Sequence, residues 1–426
     1  MTRNRNLLLI YAAAFLRSLA IGMASVLLGI YLGRLGFNAQ RIGAVIAVGL
    51  FGMALGTLFV SLSADRIGRR RVLVGLALLA AAGGAGVGLA RGFWPILGFV
   101  LLGMLNSMGR DRGAAVALEQ AIIPQHIPAR LRTSSLSWYN LTLEAGHALG
   151  ALAATLPAAW GRGVGLGWRA SYQAAFGLYA FCFLASALLY VGLSRDVELE
   201  SAGGPASPGM PARIPPESKR IVMRLAALFS LDSFGGGFLN DALLTYWFFR
   251  RFGVAEAVLG PLFFLAHALN MASYPVAAWL ARRVGLVNTM VFTHIPSSLF
   301  LIAVPFAPSF VPAAGLYLAR AALVEMDVPT RQSYVLAVVK PDERTFASGI
   351  TTVARNVGWV SGPPLAGYLM QHAALAAPLW IGGGAKIAYD LLLYRAFRRH
   401  RPPEESPVAD AQDAGAPLGR NSPRRP

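Results

Sequence analysis

Several features are scarce in this chain, and each shortage excludes a kind of protein. Only 14% of the 426 residues are charged, well below the roughly 25% of an average soluble domain. The single cysteine, Cys182, excludes an intrachain disulfide and a redox pair. No phosphate-binding loop, nucleophile elbow or zinc-ligand spacing is present. We therefore expect no enzymatic catalysis, no ATP hydrolysis, no cofactor and no metal.

Apolar residues, by contrast, are abundant. Hydrophobic residues make up 55% of the chain, and the mean hydropathy is +0.53. A helix that crosses a bilayer needs roughly 20 mostly apolar residues, because its backbone groups must bond within the segment. Such stretches recur and predict an all-α membrane protein. We number twelve spans, at residues 7–33, 39–63, 71–90, 93–122, 134–160, 169–194, 221–249, 254–281, 287–306, 310–338, 346–371 and 376–398.

The net charge of +18 could indicate nucleic acid binding, but the basic residues follow another pattern. With both termini in the cytoplasm, the loops on the cytoplasmic side hold most of the Lys and Arg outside the spans. This positive-inside asymmetry predicts an even number of spans. We expect an integral protein of a bacterial inner membrane, surrounded by lipid and without a nucleic acid partner.

The stretch between spans 6 and 7 is rich in Pro, Gly and Ser and contains nothing apolar enough to pack. We interpret residues 195–219 as a cytoplasmic linker between an N-terminal six-helix bundle, 1–194, and a C-terminal bundle, 220–400. The remainder, 401–426, has no aliphatic periodicity, and we expect a disordered cytoplasmic tail.

The two halves carry landmarks that recur in the same order. Glycines and prolines at the ends of spans in the first half return in the second half at a nearly constant spacing, which predicts two related bundles. The clearest pairs, each 217 residues apart, are Gly36 with Gly253, Gly68 with Gly285, and Pro124 with Pro341.

A loop with an acid, a glycine turn and a basic cluster follows span 2. It reads Ser61-Leu62-Ser63-Ala64-Asp65-Arg66-Ile67-Gly68-Arg69-Arg70-Arg71. From Asp65 to Arg70 it resembles the signature Gly-x-Leu-Ala-Asp-Arg-x-Gly-Arg-Arg of the major facilitator superfamily, with Ser61 in place of the first glycine. The resemblance covers about residues 7–398. It implies twelve transmembrane helices in two pseudo-symmetric six-helix bundles and a transporter function.

The resemblance also implies a role for this gating loop, Asp65, Arg66, Gly68, Arg69 and Arg70. In the family the acid latches the N-terminal end of span 11 when the protein is open outward, where the helix dipole favours a carboxylate. In the family, the arginine at the position of Arg69 pairs with an acid near the end of span 4. Glu119 is the candidate for that acid here. The alternative is a plain basic anchor at the membrane surface. The matching loop after span 8 lacks the acid.

Ionisable side chains within spans are costly in lipid, so each is a functional candidate. In the family, spans 1, 4, 7 and 10 line the central cavity. Our candidates for proton coupling are Asp232, Asp241, Glu325 and Asp327. Our candidates for substrate binding or charge pairing are Arg17, Arg110, Arg112, Glu144, Arg331 and Arg355.

Helical spacing sorts these charges, because residues three or four apart are neighbours. It predicts three local pairs: Asp327 with Arg331, Glu144 with His147, and Lys386 with Asp390 on the peripheral span 12.

Asp232 and Asp241 have no basic neighbour at helical spacing. Each therefore needs a partner from another span or a proton, which makes span 7 the best place for a proton switch. Arg17 lies 215 residues before Asp232, so the pseudo-two-fold axis could bring the two together. Separate structural charges are the alternative.

We therefore hypothesise a secondary active transporter that moves a small organic solute by alternating access, coupled to protons and working as a monomer. Efflux is slightly favoured over uptake, because the loop after span 2 most resembles that of drug and solute exporters in the family. Proton-coupled uptake of an organic anion, bound by the intramembrane arginines, is an alternative. A membrane sensor with the same fold but no transport is another. The sequence does not identify the substrate.

Overall fold

The computed structural model describes residues 2–109, 111, 113–128, 132–198, 216–327, 331, 334 and 344–397. Most of the predicted linker, the whole predicted tail, Arg110 and Arg112 lie outside these ranges. Within them the regular structure is helical, with no strand. The predicted all-α fold of two six-helix bundles is confirmed.

Eight of the predicted spans are single helices along the described chain. By length and composition, seven helical stretches of the described chain could cross a bilayer. One of them is span 7, whose two helical parts are described below. The single helices are Thr2–Arg34, Ala39–Ile67, Arg69–Leu89, Trp168–Val191, Glu256–Val284, Leu286–Ala303, Arg344–His372 and Ala377–Phe397, which are spans 1, 2, 3, 6, 8, 9, 11 and 12.

Span 4 is not the continuous helix that the sequence predicted. It consists of Phe93–Leu102 and Ala114–Ile122, separated by turns and extended backbone. Met104 and Gly109 have positive φ angles of 50° and 71° there, and the Asn106 side chain accepts a hydrogen bond from the Met108 N–H. Such backbone is tolerated inside a membrane only where protein buries it or where it lines a water-filled cavity.

Span 7 is also broken, into Pro216–Gly237 and Asp241–Phe252. Three consecutive glycines end the first part, and glycine costs a helix about 1 kcal/mol relative to alanine. Asn240 begins the second part, where its side chain caps the Leu243 N–H at 2.9 Å.

Span 5 is also segmented, and span 10 is described only in part. Span 5 consists of Arg132–Ala153 and Leu156–Gly163, with a proline in the first turn of the second part. Span 10 contains the helix Phe310–Val324, and much of the chain that follows it is not described.

Related glycines hold spans together inside each half. In the first half, Gly146 and Gly150 of span 5 pack directly against the backbone of span 1. In the second half, Gly358 and Gly362 of span 11 pack in the same way against span 7. Small residues allow such close approach, and the equivalent placement reflects the internal repeat.

The two halves meet along one side of the molecule. We call the end that carries Glu198 and Pro216 the linker side. Away from it, Gly29 packs on Ala242, Gly43 on Pro363, and Gly260 on span 5. Toward the linker side, span 2 exposes Leu58, Phe59 and Leu62, and span 11 exposes Val353 and Val357. Among the described residues, the halves are therefore closed on the side opposite the linker.

Candidate functional site

Arg17 lies at the centre of a buried ion cluster in the first half. Its Nη1 and Nη2 donate to Glu119 at 3.1 and 2.8 Å, and its Nε donates to Asp111. Tyr139 and Tyr190 donate to the same Glu119 carboxylate at 2.5 and 2.6 Å. Arg17 and Glu119 are 3% and 0% exposed. We call these five residues the first-half cluster.

For Arg17, the structure agrees with the alternative of separate charges rather than with the pair across the pseudo-two-fold axis. The expected pair of Glu119 with Arg69 is wrong. Arg17 bonds Asp111 and Glu119 rather than Asp232. Glu119 pairs with Arg17 rather than Arg69. The break in span 4 explains the first result, because it brings Asp111 to span 1 within the same half.

A small cavity of about 50 Å³ lies beside the first-half cluster. Spans 1, 2, 3, 4 and 6 supply its walls, so it lies inside the first half rather than between the halves. Its lining combines the Arg17 and Asp111 pair with apolar and aromatic side chains such as Ala80, Met104 and Tyr179. Pockets for small organic molecules have this mixture of surfaces, but at about 300 to 1,000 Å³ they are larger.

A second ion cluster occupies the second half. Asp232 accepts hydrogen bonds from Lys386 Nζ at 2.7 Å and from Arg331 Nη1 at 3.3 Å. Arg331 also binds Asp327, as their four-residue spacing predicted. These four residues are at most 7% exposed.

His294 and Asp390 extend this second-half cluster. The His294 Nδ1 lies 3.0 Å from both Asp390 carboxylate oxygens, and its Nε2 lies 3.4 Å from Lys386 Nζ. The predicted local pair of Lys386 with Asp390 is therefore wrong. Lys386 reaches span 7, and Asp390 reaches span 9.

A third group of polar residues lies where the two halves touch. Asp241 Oδ2 is 3.3 Å from His267 Nε2 of span 8 and accepts a 3.3 Å hydrogen bond from Ser25 Oγ of span 1. The rings of His267 and His147 have centroids 6.3 Å apart. His147 Nε2 accepts a 2.9 Å hydrogen bond from the Asp111 N–H. We call Ser25, Asp241, His147 and His267 the central cluster.

The central cluster lies at both helix breaks. The N–H of Ala242, at the start of the second part of span 7, donates to the Ser107 carbonyl in the span 4 break at 3.3 Å. Gly109 packs so tightly on the Asp241 carboxylate that no side chain would fit there. The irregular backbone of one half thus contacts that of the other beside Asp241.

The gating loop lies on the linker side, and the latch of Asp65 on span 11 in an outward-open state stays a prediction. Asp65, whose side chain is 59% exposed, accepts a 2.8 Å hydrogen bond from Arg69 Nε. The start of span 3 is capped by Glu198, whose oxygens accept the Arg69 and Arg70 N–H groups at 2.6 and 3.2 Å. Gly68 supplies the turn with a φ angle of 106°. Arg66, also in the loop, is exposed.

The remaining candidates contribute less to these clusters. Arg355 donates to Ser233 Oγ at 3.2 Å, next to Asp232 in the chain. Glu325 and Glu144 are half-buried on spans 10 and 5. The Glu144 Oε2 has no hydrogen-bond partner among the described residues, so the predicted Glu144 and His147 pair is not formed through this atom.

A bridge that the sequence did not predict joins the halves on the side opposite the linker. Arg34 Nη2 lies 3.1 Å from the buried Glu256 carboxylate, and Tyr172 donates to the same carboxylate at 2.8 Å. The Arg34 guanidinium also lies 5.2 Å from the centre of the Tyr172 ring. The sequence shows that Arg34 and Glu256 lie at the ends of spans. It does not show that they pair, because the pairing depends on how the two halves pack together.

Comparisons with known proteins agree on one family. A family model described as Major Facilitator Superfamily matches residues 10–326 and 321–425. The chain is also similar to the uncharacterized membrane protein YJR124C of Saccharomyces cerevisiae, at 26% identity over 422 residues. That match covers 92% of this chain and 94% of the yeast protein.

Solved structures of transporters share the fold. The nucleoside transporter NupG has a TM-score of 0.71 at 13% identity, covering 92% of this chain and 99% of that one. The D-xylose-proton symporter has a TM-score of 0.68 at 15% identity, covering 95% and 99%. An inward-facing bacterial homolog of Spinster, in its occupied form, has a TM-score of 0.69 at 16% identity, covering 93% and 95%. These likenesses concern the fold alone.

Proposed function

Because the chain belongs to the major facilitator superfamily, it is a membrane transporter of a small solute, and we propose that protons drive this transport through Asp241 and His267. The position of the Asp241 carboxylate supports the proposal. It lies at the contact of the two halves and beside the breaks in spans 4 and 7. A change of its charge there acts on both halves at once.

The partners of the acids separate Asp241 from the other proton candidates. Asp232 and Asp327 bind permanent cations, Lys386 and Arg331, at close range within their own half. The described contacts of Asp241 are a histidine and a hydroxyl group. Unlike a guanidinium, an imidazole can itself take up and release a proton, so the Asp241 and His267 pair has a partner that can exchange one.

We propose that the solute binds at the cavity in the first half, which must widen to admit it. Asp111 supports a link between solute and proton, because its carboxylate binds Arg17 at the cavity and its N–H binds His147 of the central cluster. The organic anion hypothesis loses support, since carboxylates already occupy Arg17 and Arg331. A neutral or cationic small organic solute fits the described charges better.

We further propose that the linker side is cytoplasmic in a bacterial inner membrane, that the protein is a monomer, and that it exports its solute. The positive-inside asymmetry supports the orientation. The described contacts between the halves then correspond to an inward-open state, in which the substrate would be loaded from the cytoplasm for efflux.

The test is transport by the purified protein in proteoliposomes. Radiolabelled nucleosides, sugars and organic amines serve as probes, with an imposed proton gradient. We expect Asp241→Asn to abolish gradient-driven accumulation while solute exchange without a gradient persists, because only the proton step is lost. Asp196→Asn, at an exposed acid, is the matched control.

Full gradient-driven accumulation by Asp241→Asn would overturn the coupling role. Thermal stabilisation by a probe without flux in any variant would support the sensor alternative instead.

A further inference from the structure

The second-half cluster has an unequal number of acids and permanent cations. Asp232, Asp327 and Asp390 carry three carboxylates, whereas Arg331 and Lys386 carry two positive charges. All five residues are between 0% and 7% exposed. A buried net charge is strongly unfavourable unless it is compensated. Balance requires one more positive charge or one proton on a carboxylate.

Groups at the edge of the cluster do not supply it. Glu325 on span 10 adds a carboxylate, and Arg355 on span 11 adds a guanidinium that binds Ser233, so their charges offset each other. Apart from Arg331, residues 328–339 contain no Asp, Glu, Lys, Arg or His. The balance of the cluster therefore depends on whether His294 carries a proton.

His294 is placed to carry this charge. It is 1% exposed, packs edge-on against the Tyr389 ring, and lies between the Asp390 carboxylate and Lys386. The Nδ1 side faces two carboxylate oxygens at 3.0 Å, which favours an N–H at that position. Imidazole changes its charge near neutral pH, whereas a guanidinium does not.

We propose that His294 and Asp390 form a second proton-binding site, inside the second half and separate from Asp241. One proton adds to His294 Nε2 and is released from the same atom. The site extends the proposed proton coupling, but it does not depend on Asp241 being the coupling residue.

Lys386 links this proton to the position of span 7. With His294 neutral, Lys386 Nζ donates both to His294 Nε2 and to Asp232 Oδ1. A proton on Nε2 removes that acceptor and repels the ammonium group. Lys386 then turns fully to Asp232, which lies in the part of span 7 that precedes the break. Protonation thus tightens the contact between spans 7 and 12.

The test is nitrogen-15 NMR of the full-length protein, labelled on histidine, in lipid nanodiscs. The shifts of the ring nitrogens report protonation directly, and His294→Gln identifies the signal among six histidines. Between about pH 5 and pH 9, we expect one step from imidazolium to neutral imidazole, even though the ring is buried. A ring that stays neutral, or stays charged, over the whole range would overturn the proposal.

Two isosteric variants separate this site from the central one. We expect Asp390→Asn to remove the imidazolium signal of His294 at neutral pH, and Asp241→Asn to leave it unchanged. An unchanged signal in Asp390→Asn, or its loss in Asp241→Asn, would also overturn the proposal. If Asp390→Asn does not fold, the titration of His294 in the unmodified protein still tests the proposal.

Discussion

Arg17 shows how this chain keeps a charge within a span. Its guanidinium binds two carboxylates, and one of them, Glu119, also accepts two tyrosine hydroxyl groups. In a low dielectric such a network is stable only when every member is satisfied. Removing one charged side chain of the network should therefore destabilise the protein far more than replacing all of its charged side chains together.

We expect Arg17→Met to destabilise the protein by about 3 to 5 kcal/mol, because it leaves two buried carboxylates without their cation. Thermal unfolding of the purified protein measures this loss. Arg162→Met is the matched control, since Arg162 is exposed and donates to the Ala158 carbonyl of its own helix.

The triple variant Arg17→Met, Asp111→Asn, Glu119→Gln tests the same reasoning from the other side. We expect it to recover much of the stability lost in Arg17→Met, because no buried charge is left uncompensated. A triple variant less stable than the single one would contradict the charge argument.

At the scale of the helices, breaks rather than regular segments position the central cluster. Ser107 and Gly109 in the break of span 4 contact Ala242 and Asp241 after the break of span 7. The three glycines before the second break and the Asn240 cap make that break a property of the local sequence.

The span 4 break also forms part of the cavity wall, which a substitution on span 3 can test. We expect Ala80→Phe to fill the cavity and to abolish thermal stabilisation by any solute that binds there, because Ala80 is 5% exposed and lines the cavity. Ala82→Phe, on an exposed position of the same helix, should leave it intact. Equal stabilisation of both variants would place the solute elsewhere.

Hydropathy alone predicted that the twelve spans exist, because the cost of lipid exposure acts on every residue. The spacing of Asp327 and Arg331 also predicted their pair, because both residues lie on one helix face. The partners of Arg17, Lys386 and Asp390 were not predictable, since they depend on breaks and on packing between spans.

For the whole molecule, the closed side opposite the linker depends on few polar contacts. Glu256 joins span 8 to Arg34 and Tyr172 of the first half, and His372 contacts Gln40 at 3.3 Å. Alternating access requires these contacts to break while each half keeps its own ion cluster.

We expect the cysteine pair Gln40→Cys and His372→Cys to react efficiently with a short bifunctional thiol reagent, since both positions are exposed and adjacent. The native Cys182 is buried and should not interfere. Adding Glu256→Gln should lower the cross-linked fraction, because it weakens the closed side. A fraction that stays the same would assign the closure to apolar packing alone.

The two halves balance their charges separately, the first around a cation on span 1 and the second around an acid on span 7. Apart from the bridge of Arg34 with Glu256 on the closed side, neither half takes a described ion partner from the other. A gene cut between Glu198 and Pro216 should therefore yield two polypeptides that insert independently and assemble afterwards. Co-purification of the halves through a tag on only one of them would show this assembly.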